Sequence, residues 1–249
     1  MIPTRTKEEI KIMSKAGSIA EFALRQIVKE VKEGVTTLEL EKIARRLISA
    51  RGAEPAFLGY NGYPAAICVS INDELVHGIP SARKIKKGDL IGIDLGVKYK
   101  GYFSDTAKTV SVGRPSQDAS RLMNGTKEAL LDAIRALKPG IRIGDLENTI
   151  GETLKKYNLE PVLALSGHGI GKEIHEKPVI LCDGRKCTGN LVKEGMVFAI
   201  EPMATLGNGE VITSSDGWTV KTKDKSLSAH FEHTVLVTKS GPRVLTGKV

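Results

Sequence analysis

Five residues have the chemical type and the local setting of metal ligands: Asp94, Asp105, His168, Glu201 and Glu232. Asp94 sits inside the apolar run Leu90-Ile91-Gly92-Ile93-Asp94-Leu95-Gly96, which reads as a buried strand. An unpaired carboxylate in a dry strand is costly or gives up its charge, so it requires a cation, a dense hydrogen-bond shell or a function. The segment that follows, "LGVKYKGYFS", reads as a hairpin turning at Tyr99-Lys100-Gly101. With Tyr99 and Lys100 as a two-residue loop, Lys98 pairs with Gly101 and Asp94 lies directly opposite Asp105, their Cβ atoms ~4.5–5.5 Å apart. A register shifted by one pair leaves the two diagonal on the same face. Either separation repels bare carboxylates and suits a shared cation. Glu201 ends the apolar run "VKEGMVFAIE", Glu232 follows Phe231, and His168 stands between Gly167 and Gly169, which leave its imidazole room to approach an ion.

Four carboxylates and one imidazole are hard, oxygen-rich ligands, a set that favours a pair of divalent ions such as manganese, iron or cobalt over a thiolate-held structural zinc. Two such ions share a water and lower its pKa, which yields a nucleophile at neutral pH. Taken singly, each residue also fits a structural hydrogen-bonding role; the set does not. Competing motifs fail on spacing. Gly171-Lys172 is followed by Glu173, so "GHGIGKE" is neither a phosphate loop nor a dinucleotide fingerprint. Cys182 and Cys187 in "CDGRKC" lack a second Cys/His pair to complete a zinc site, and with Cys68 they read as reduced thiols.

The elements that must position these residues follow a repeat. A first helix starts at the capping box Thr6-Lys7-Glu8-Glu9, carries Ile10, Met13, Ala16, Ala20, Leu24, Ile27 and Val31 on its apolar face, and stops at Gly34. A second runs from about Thr37 to Ala50. Sliding the chain by 106 residues lays Met13–Pro55 over Ala119–Pro161 with nine identities in 43 positions, among them Gly34/Gly140, Glu41/Glu147 and Pro55/Pro161. The correspondence continues: "HGIP" at His77–Pro80 meets "HEKP" at His175–Pro178, the run ending at Asp94 meets that ending at Glu201, and the segment of Asp105 meets that of Glu232. The expectation is an α+β fold of two α-α-β halves, about 10–113 and 119–245, related by a pseudo-twofold axis around one curved antiparallel sheet. A site on that axis receives carboxylates from both halves.

The 249 residues, 41% hydrophobic and 27% charged, with no long low-complexity run, describe a folded chain read as a single catalytic domain over 1–249. The start "MIPTRTKEEIKIM" lacks the apolar core of a signal peptide and no run approaches a membrane span, which points to the cytoplasm and away from a membrane. The net charge of +8 is spread over many elements; it allows transient ribosome or RNA contact without indicating it, and nothing suggests DNA.

The order Asp94, Asp105, His168, Glu201, Glu232, with "HGIP", "GHGIG", "AIEP" and "FEHT" around it, resembles the type I methionine aminopeptidases of the pita-bread fold, from about Ile10 to Leu245. The resemblance implies removal of the N-terminal methionine of nascent polypeptides when the second residue is small, with two divalent ions drawn from cobalt, manganese, iron or zinc, by a monomer. It implies that Asp94 chelates one ion, Asp105 and Glu232 bridge both, and His168 and Glu201 complete the other's shell, Glu201 also handling a proton. His77 is then expected near the scissile amide and His175 at the carbonyl oxygen. Tyr60, Tyr63, Cys68 and Trp218 are expected to line the methionine pocket, with Ile174 where relatives often carry an aromatic. Two alternatives remain: a proline-specific aminopeptidase of the same superfamily, usually built with a further N-terminal domain, and a non-catalytic relative that binds RNA or protein, whose mark would be lost ligand residues.

Overall fold

The fold is that of a computed structural model, which describes residues 2–247. Helix α1 (Lys7–Glu30) begins at the expected capping box, Glu9 N–H donating to Thr6 Oγ1 at 3.2 Å and Thr6 N–H to Glu9 Oε2 at 2.8 Å. It ends four residues before Gly34. Val31 turns extended, and the chain bends at Gly34 (φ 87°) so that Ile85 N–H reaches the Val35 carbonyl at 2.8 Å. Helix α2 (Thr37–Ser49) has a second capping box, Thr36 with Glu39. The pair recurs as α3 (Gln117–Ala136) and α4 (Ile143–Lys156).

The main sheet has nine strands, antiparallel at every pairing. Its path runs Glu54–Pro55, Leu90–Tyr99, Tyr102–Ser111, Glu232–Thr238, Val197–Ile200, Ser166–Gly169, Glu176–Leu181. Strand Cys68–Ile71 pairs with Leu90–Tyr99, and Gly241–Val244 with Glu232–Thr238. The two halves meet where Tyr102–Ser111 lies beside Glu232–Thr238. That seam has only two paired positions, Glu232↔Ala107 and His233↔Thr106, and threonines fasten it further. Thr234 Oγ1 accepts Asp105 N–H at 2.8 Å and donates to the Asp105 carbonyl at 2.8 Å, while Thr106 Oγ1 donates to the Glu232 carbonyl at 3.0 Å.

Alternation along the strands assigns the two faces. Ile91, Ile93, Leu95 and Val97 are buried under α1 and α2 with Ile19, Ile27, Leu40 and Ile48. In the second half Phe198, Ile200, Val235 and Val237 pack with Leu122, Leu130, Leu146 and Ile150 of α3 and α4. Each helix pair therefore covers the outer face of its own half. The opposite face, with Asp94, Asp105 and Glu232, is left to line a cavity. Among the described residues no helix is long and apolar enough to cross a membrane.

Candidate metal centre

A cavity of about 550 Å³ opens on the inner face of the sheet and is lined by Asp94, Asp105, His168, Glu201 and Glu232, together with His77 and His175. The hairpin turns one residue later than the expected loop: Lys100 (φ 48°) and Gly101 (φ 79°) form the turn, and Tyr99 pairs with Tyr102. Asp94 therefore faces Ala107, not Asp105, and Asp105 faces Gly96. Two positive φ values in succession are what a tight hairpin requires, and Lys100-Gly101 meets that demand better than Tyr99-Lys100. The two carboxylates end up diagonal on one face. Ala107 stands opposite both Asp94 and Glu232, and its methyl leaves the space between them open.

Asp105, His168 and Glu232 each present a ligand atom within 4.8 Å of the other two. Asp94 flanks this group on the Asp105 side. Glu201 flanks it on the other, its Oε1 3.4 Å from His168 Nε2. His168 Nδ1 hydrogen-bonds the Gly169 carbonyl at 2.9 Å; donating there leaves the Nε2 lone pair for an ion. The flanking glycines serve the backbone more than the imidazole. A Cβ on Gly167 would lie 2.5 Å from the Ala199 carbonyl oxygen, and one on Gly169 would overlap the Lys177 carbonyl. Only glycine lets three strands close around His168.

Burial raises all four carboxyl pKa values, and repulsion from neighbouring carboxylates adds to it for Asp94, Asp105 and Glu232. Burial acts first on Asp94, followed by the charges of Asp105 and Glu201; Glu232 rises from burial and then from Asp105, Glu201 and Asp94; Glu201 rises from burial. Asp105 is pushed up to about 7 by burial and the Glu201 charge. Burial lowers His168 to about 3 and His77 to about 4, so both rings are neutral at pH 7. Asp94 Oδ1 and Glu232 Oε1 are buried and have no hydrogen-bond partner among the described residues. Orphaned buried carboxylate oxygens, clustered with one imidazole, fit divalent cations.

These shifts predict how stability varies with pH. A carboxyl whose folded pKa is raised stabilises the fold below its unfolded value, and that stability is lost as pH rises through the folded one. Near pH 7, where Asp105 titrates, the metal-free folded protein still holds a proton that the unfolded chain has released, a contribution that falls by up to ~1.4 kcal/mol per pH unit. The buried histidines act in the opposite sense: their lowered folded pKa values mean that protons are taken up on unfolding, so their share of stability rises as pH passes the unfolded value of about 6.5. Comparing metal-loaded with chelator-treated protein removes the histidine contribution, because the rings are neutral in both. The gain in melting temperature on adding Mn(II) should therefore grow as pH rises from about 6 to about 7.5, since fewer carboxyl protons have to be displaced. A gain that does not change with pH would contradict the cluster.

Beside the carboxylates lies an apolar slot. Cys68 stands across the ladder from Asp94, Tyr63 and Trp218 meet edge to face at 5.1 Å, and Phe57 closes the group. Tyr63 Oη lies 3.0 Å from the Gly78 carbonyl oxygen, a hydrogen bond that anchors the ring, and burial raises its pKa. Ile174 stands one layer behind the lining. It is fully buried against Phe57 and Cys68, and a Cβ on Gly96 would meet its Cδ1 at 3.1 Å. Tyr60 also reaches the histidines. Its hydroxyl lies 2.8 Å from His175 Nδ1, and the His175 ring packs edge-on to His168 at 4.4 Å. The loop carrying His175 is braced by Glu176, which pairs with Arg5 and accepts Lys172 N–H at 2.8 Å and Glu173 N–H at 3.2 Å. His77 is held at φ 58°, a sparsely populated conformation for a residue with a Cβ.

Two lining or neighbouring residues escape the sequence reading. Phe57 precedes Tyr60 and Tyr63 at three-residue spacing, a pattern that marks it as a third aromatic of the slot. His230 is buried with its Nε2 3.2 Å from Glu201 Oε2, and it precedes Glu232 by two, the spacing of one strand face. Burial lowers its pKa to about 4. Cys182 is buried, its Sγ accepting Met203 N–H at 3.3 Å, and Cys187 is exposed.

The sequence model of Metallopeptidase family M24 matches residues 11–239. The chain belongs to this family. This M24 chain is 46% identical to the methionine aminopeptidase of Aquifex aeolicus, with 97% of each chain covered. It superposes on the crystal structure of the methionine aminopeptidase of Thermotoga maritima with a TM-score of 0.98 at 40% identity over the whole of both chains. The two-halved α+β architecture expected from the repeat, and the pita-bread fold that the resemblance implies, are thus shared with M24 relatives of known structure. The prolidase of Pyrococcus furiosus is less similar, with a TM-score of 0.80 at 32% identity, and this M24 chain covers only 66% of it. The proline-specific alternative is accordingly not favoured.

Proposed function

We infer that the protein is a metal-dependent methionine aminopeptidase that hydrolyses the first peptide bond of nascent chains when the second residue is small. The observation that carries this is the adjacency of two features: an apolar, partly aromatic slot, and the carboxylate cluster one strand away, Cys68 facing Asp94. An unbranched thioether suits a slot of Phe57, Tyr63, Cys68 and Trp218. A methionine seated there would bring its amide over the carboxylates.

Asp94, Asp105, His168, Glu201 and Glu232 would hold two divalent ions. When bound, these ions supply Lewis acidity to the scissile carbonyl and to water. The chain's own groups do the rest. Glu201 would accept a proton from the attacking water and pass it to the leaving amine. His175, oriented by Tyr60, donates to the carbonyl oxygen as negative charge grows there, and His77 orients the amide. All of the expected ligand residues are present, which argues against a non-catalytic relative. The same reading makes the protein a cytoplasmic monomer, with its +8 charge suited to transient ribosome contact.

The test uses purified protein supplied with Mn(II) or Co(II) and the peptides Met-Ala-Ser, Met-Ile-Ser and Ala-Pro-Ser. Methionine should leave Met-Ala-Ser at least ~10-fold faster than Met-Ile-Ser, because a branched second residue displaces the amide from its attack geometry. Ala-Pro-Ser should be untouched, and a chelator should stop the reaction. Equal release from both methionine peptides would replace this reading with a broader aminopeptidase, and cleavage of Ala-Pro-Ser with a proline-specific one.

A further inference from the structure

Glu201 is the cluster residue least fixed by its own backbone. The strand Val197–Ile200 ends just before it and the next begins at Met203, so Glu201 itself has no partner in a sheet ladder although its neighbours Ile200 and Met203 do. A glutamate there has three free side-chain torsions and needs partners to hold its carboxylate. His168 is a poor one: with its N–H given to the Gly169 carbonyl, its Nε2 has only a lone pair to offer. The second imidazole lies on the other oxygen, His230 Nε2 at 3.2 Å from Glu201 Oε2. His230 itself is firmly placed. It belongs to the strand Ser228–His230, pairs with Met203, and exchanges two hydrogen bonds with Thr109 Oγ1, its N–H donating at 3.0 Å and its carbonyl accepting at 2.9 Å. It is only 3% exposed, and its Nε2 satisfies no hydrogen-bond geometry among the described residues, although the Glu201 carboxylate lies beside it.

We propose that His230 is a positioning residue for catalysis: its Nε2–H holds Glu201 Oε2, so that Oε1 is turned toward the ions and the scissile bond. The proposal rests on the aminopeptidase reading above and adds a residue to it. Hydrogen bonds of this kind to a ligating carboxylate fix its orientation, and their loss costs ~10–100-fold in activity. The imidazole neither touches substrate nor ligates an ion; it acts through Glu201.

Three variants test this, His230→Leu, His230→Gln and His230→Asn. Leucine fills the volume without a donor, the glutamine amide reaches the place of Nε2, and the asparagine amide falls short of it. For Met-Ala-Ser at saturating Mn(II), His230→Leu should lose ~10–100-fold in kcat with KM within about twofold of wild type. His230→Gln should recover to within a few-fold of wild type. Calorimetric titration of metal-free protein with Mn(II) should give the same stoichiometry for all. If His230→Leu does not fold, the Asn and Gln pair decides: impaired Asn with active Gln supports the proposal, and equal activity overturns it. Wild-type kcat in His230→Leu, or glutamine as impaired as leucine, would overturn it too. Loss of one Mn(II) equivalent would make His230 a ligand instead, which also overturns it. Wild-type protein that binds no divalent ion would instead sink the aminopeptidase reading itself.

Discussion

A Glu201→Gln enzyme is expected to fold, to keep its shape at the cavity and to turn over Met-Ala-Ser ~10²–10⁴-fold more slowly than wild type, the range for loss of a positioned general base. Glutamine preserves the length that places Oε1 3.4 Å from His168 and Oε2 3.2 Å from His230. What it removes is one negative charge and the ability to accept a proton. Glu201 adds to the repulsion that raises Asp94, Asp105 and Glu232, so its neutralisation relieves the other three. Chelator-treated Glu201→Gln should therefore melt above chelator-treated wild type at pH 8 while being far less active, the opposed signs expected where a site is built at the expense of the fold. Near-normal kcat in metal-loaded Glu201→Gln would show that the residue does not carry the proton, and a lower melting temperature without metal that it does not carry the repulsion assigned to it.

The difference between what the sequence discloses and what it hides follows from whether the signal is local. Helix α1 is announced by its capping box and apolar spacing, both local, and its start agrees with the structure. Its end is not. Gly34 marks the turn, but the last helical residue is Glu30, because Val35 is drawn into contact with Ile85 some fifty residues away. The hairpin shows the same limit. Its place is legible from Lys100-Gly101, while its register depends on which residues take positive φ, and a one-residue difference in the turn moves Asp105 from opposite Asp94 to a diagonal position. The conclusion that both carboxylates share a face survives, since it rests on parity alone.

The candidate ligands are legible because the chain repeats: each of Asp94 and Asp105 has a counterpart in the second half. His230 has none. In the same alignment Phe103 stands two residues before Asp105 where His230 stands two before Glu232, and only the strand Ser228–His230 shows that the imidazole comes to lie beside Glu201. Ile174 illustrates the converse. It occupies a sequence position beside His175 that suggests a pocket wall, yet the chain direction there turns it inward onto Phe57, and the slot is shaped by Phe57 instead. Which side of a loop residue faces a cavity is a tertiary fact, and no local pattern encodes it.

The histidine at the cavity mouth should behave differently from the ligands. His175→Ala is expected to lower kcat for Met-Ala-Ser by ~10²–10³, the loss typical of one oxyanion donor, without releasing metal. Burial depresses its pKa, so the ring is neutral at pH 7 and has a single N–H to give. The Tyr60 hydroxyl, 2.8 Å from Nδ1, decides which nitrogen bears it: by donating to Nδ1 it keeps the proton on Nε2, where it can meet the carbonyl oxygen. Tyr60→Phe should then cost kcat part of the His175→Ala loss while leaving the ring in place, and the double variant should be no worse than His175→Ala alone, because the two act as one unit. His168 supplies the control, since its ring packs on His175 at 4.4 Å and would be disturbed by a mere packing defect. Calorimetric titration with Mn(II) reads that disturbance directly. Unchanged affinity alongside the fall in kcat assigns His175 to the substrate's oxygen, whereas a collapse of affinity would mean that its ring supports the ions through His168.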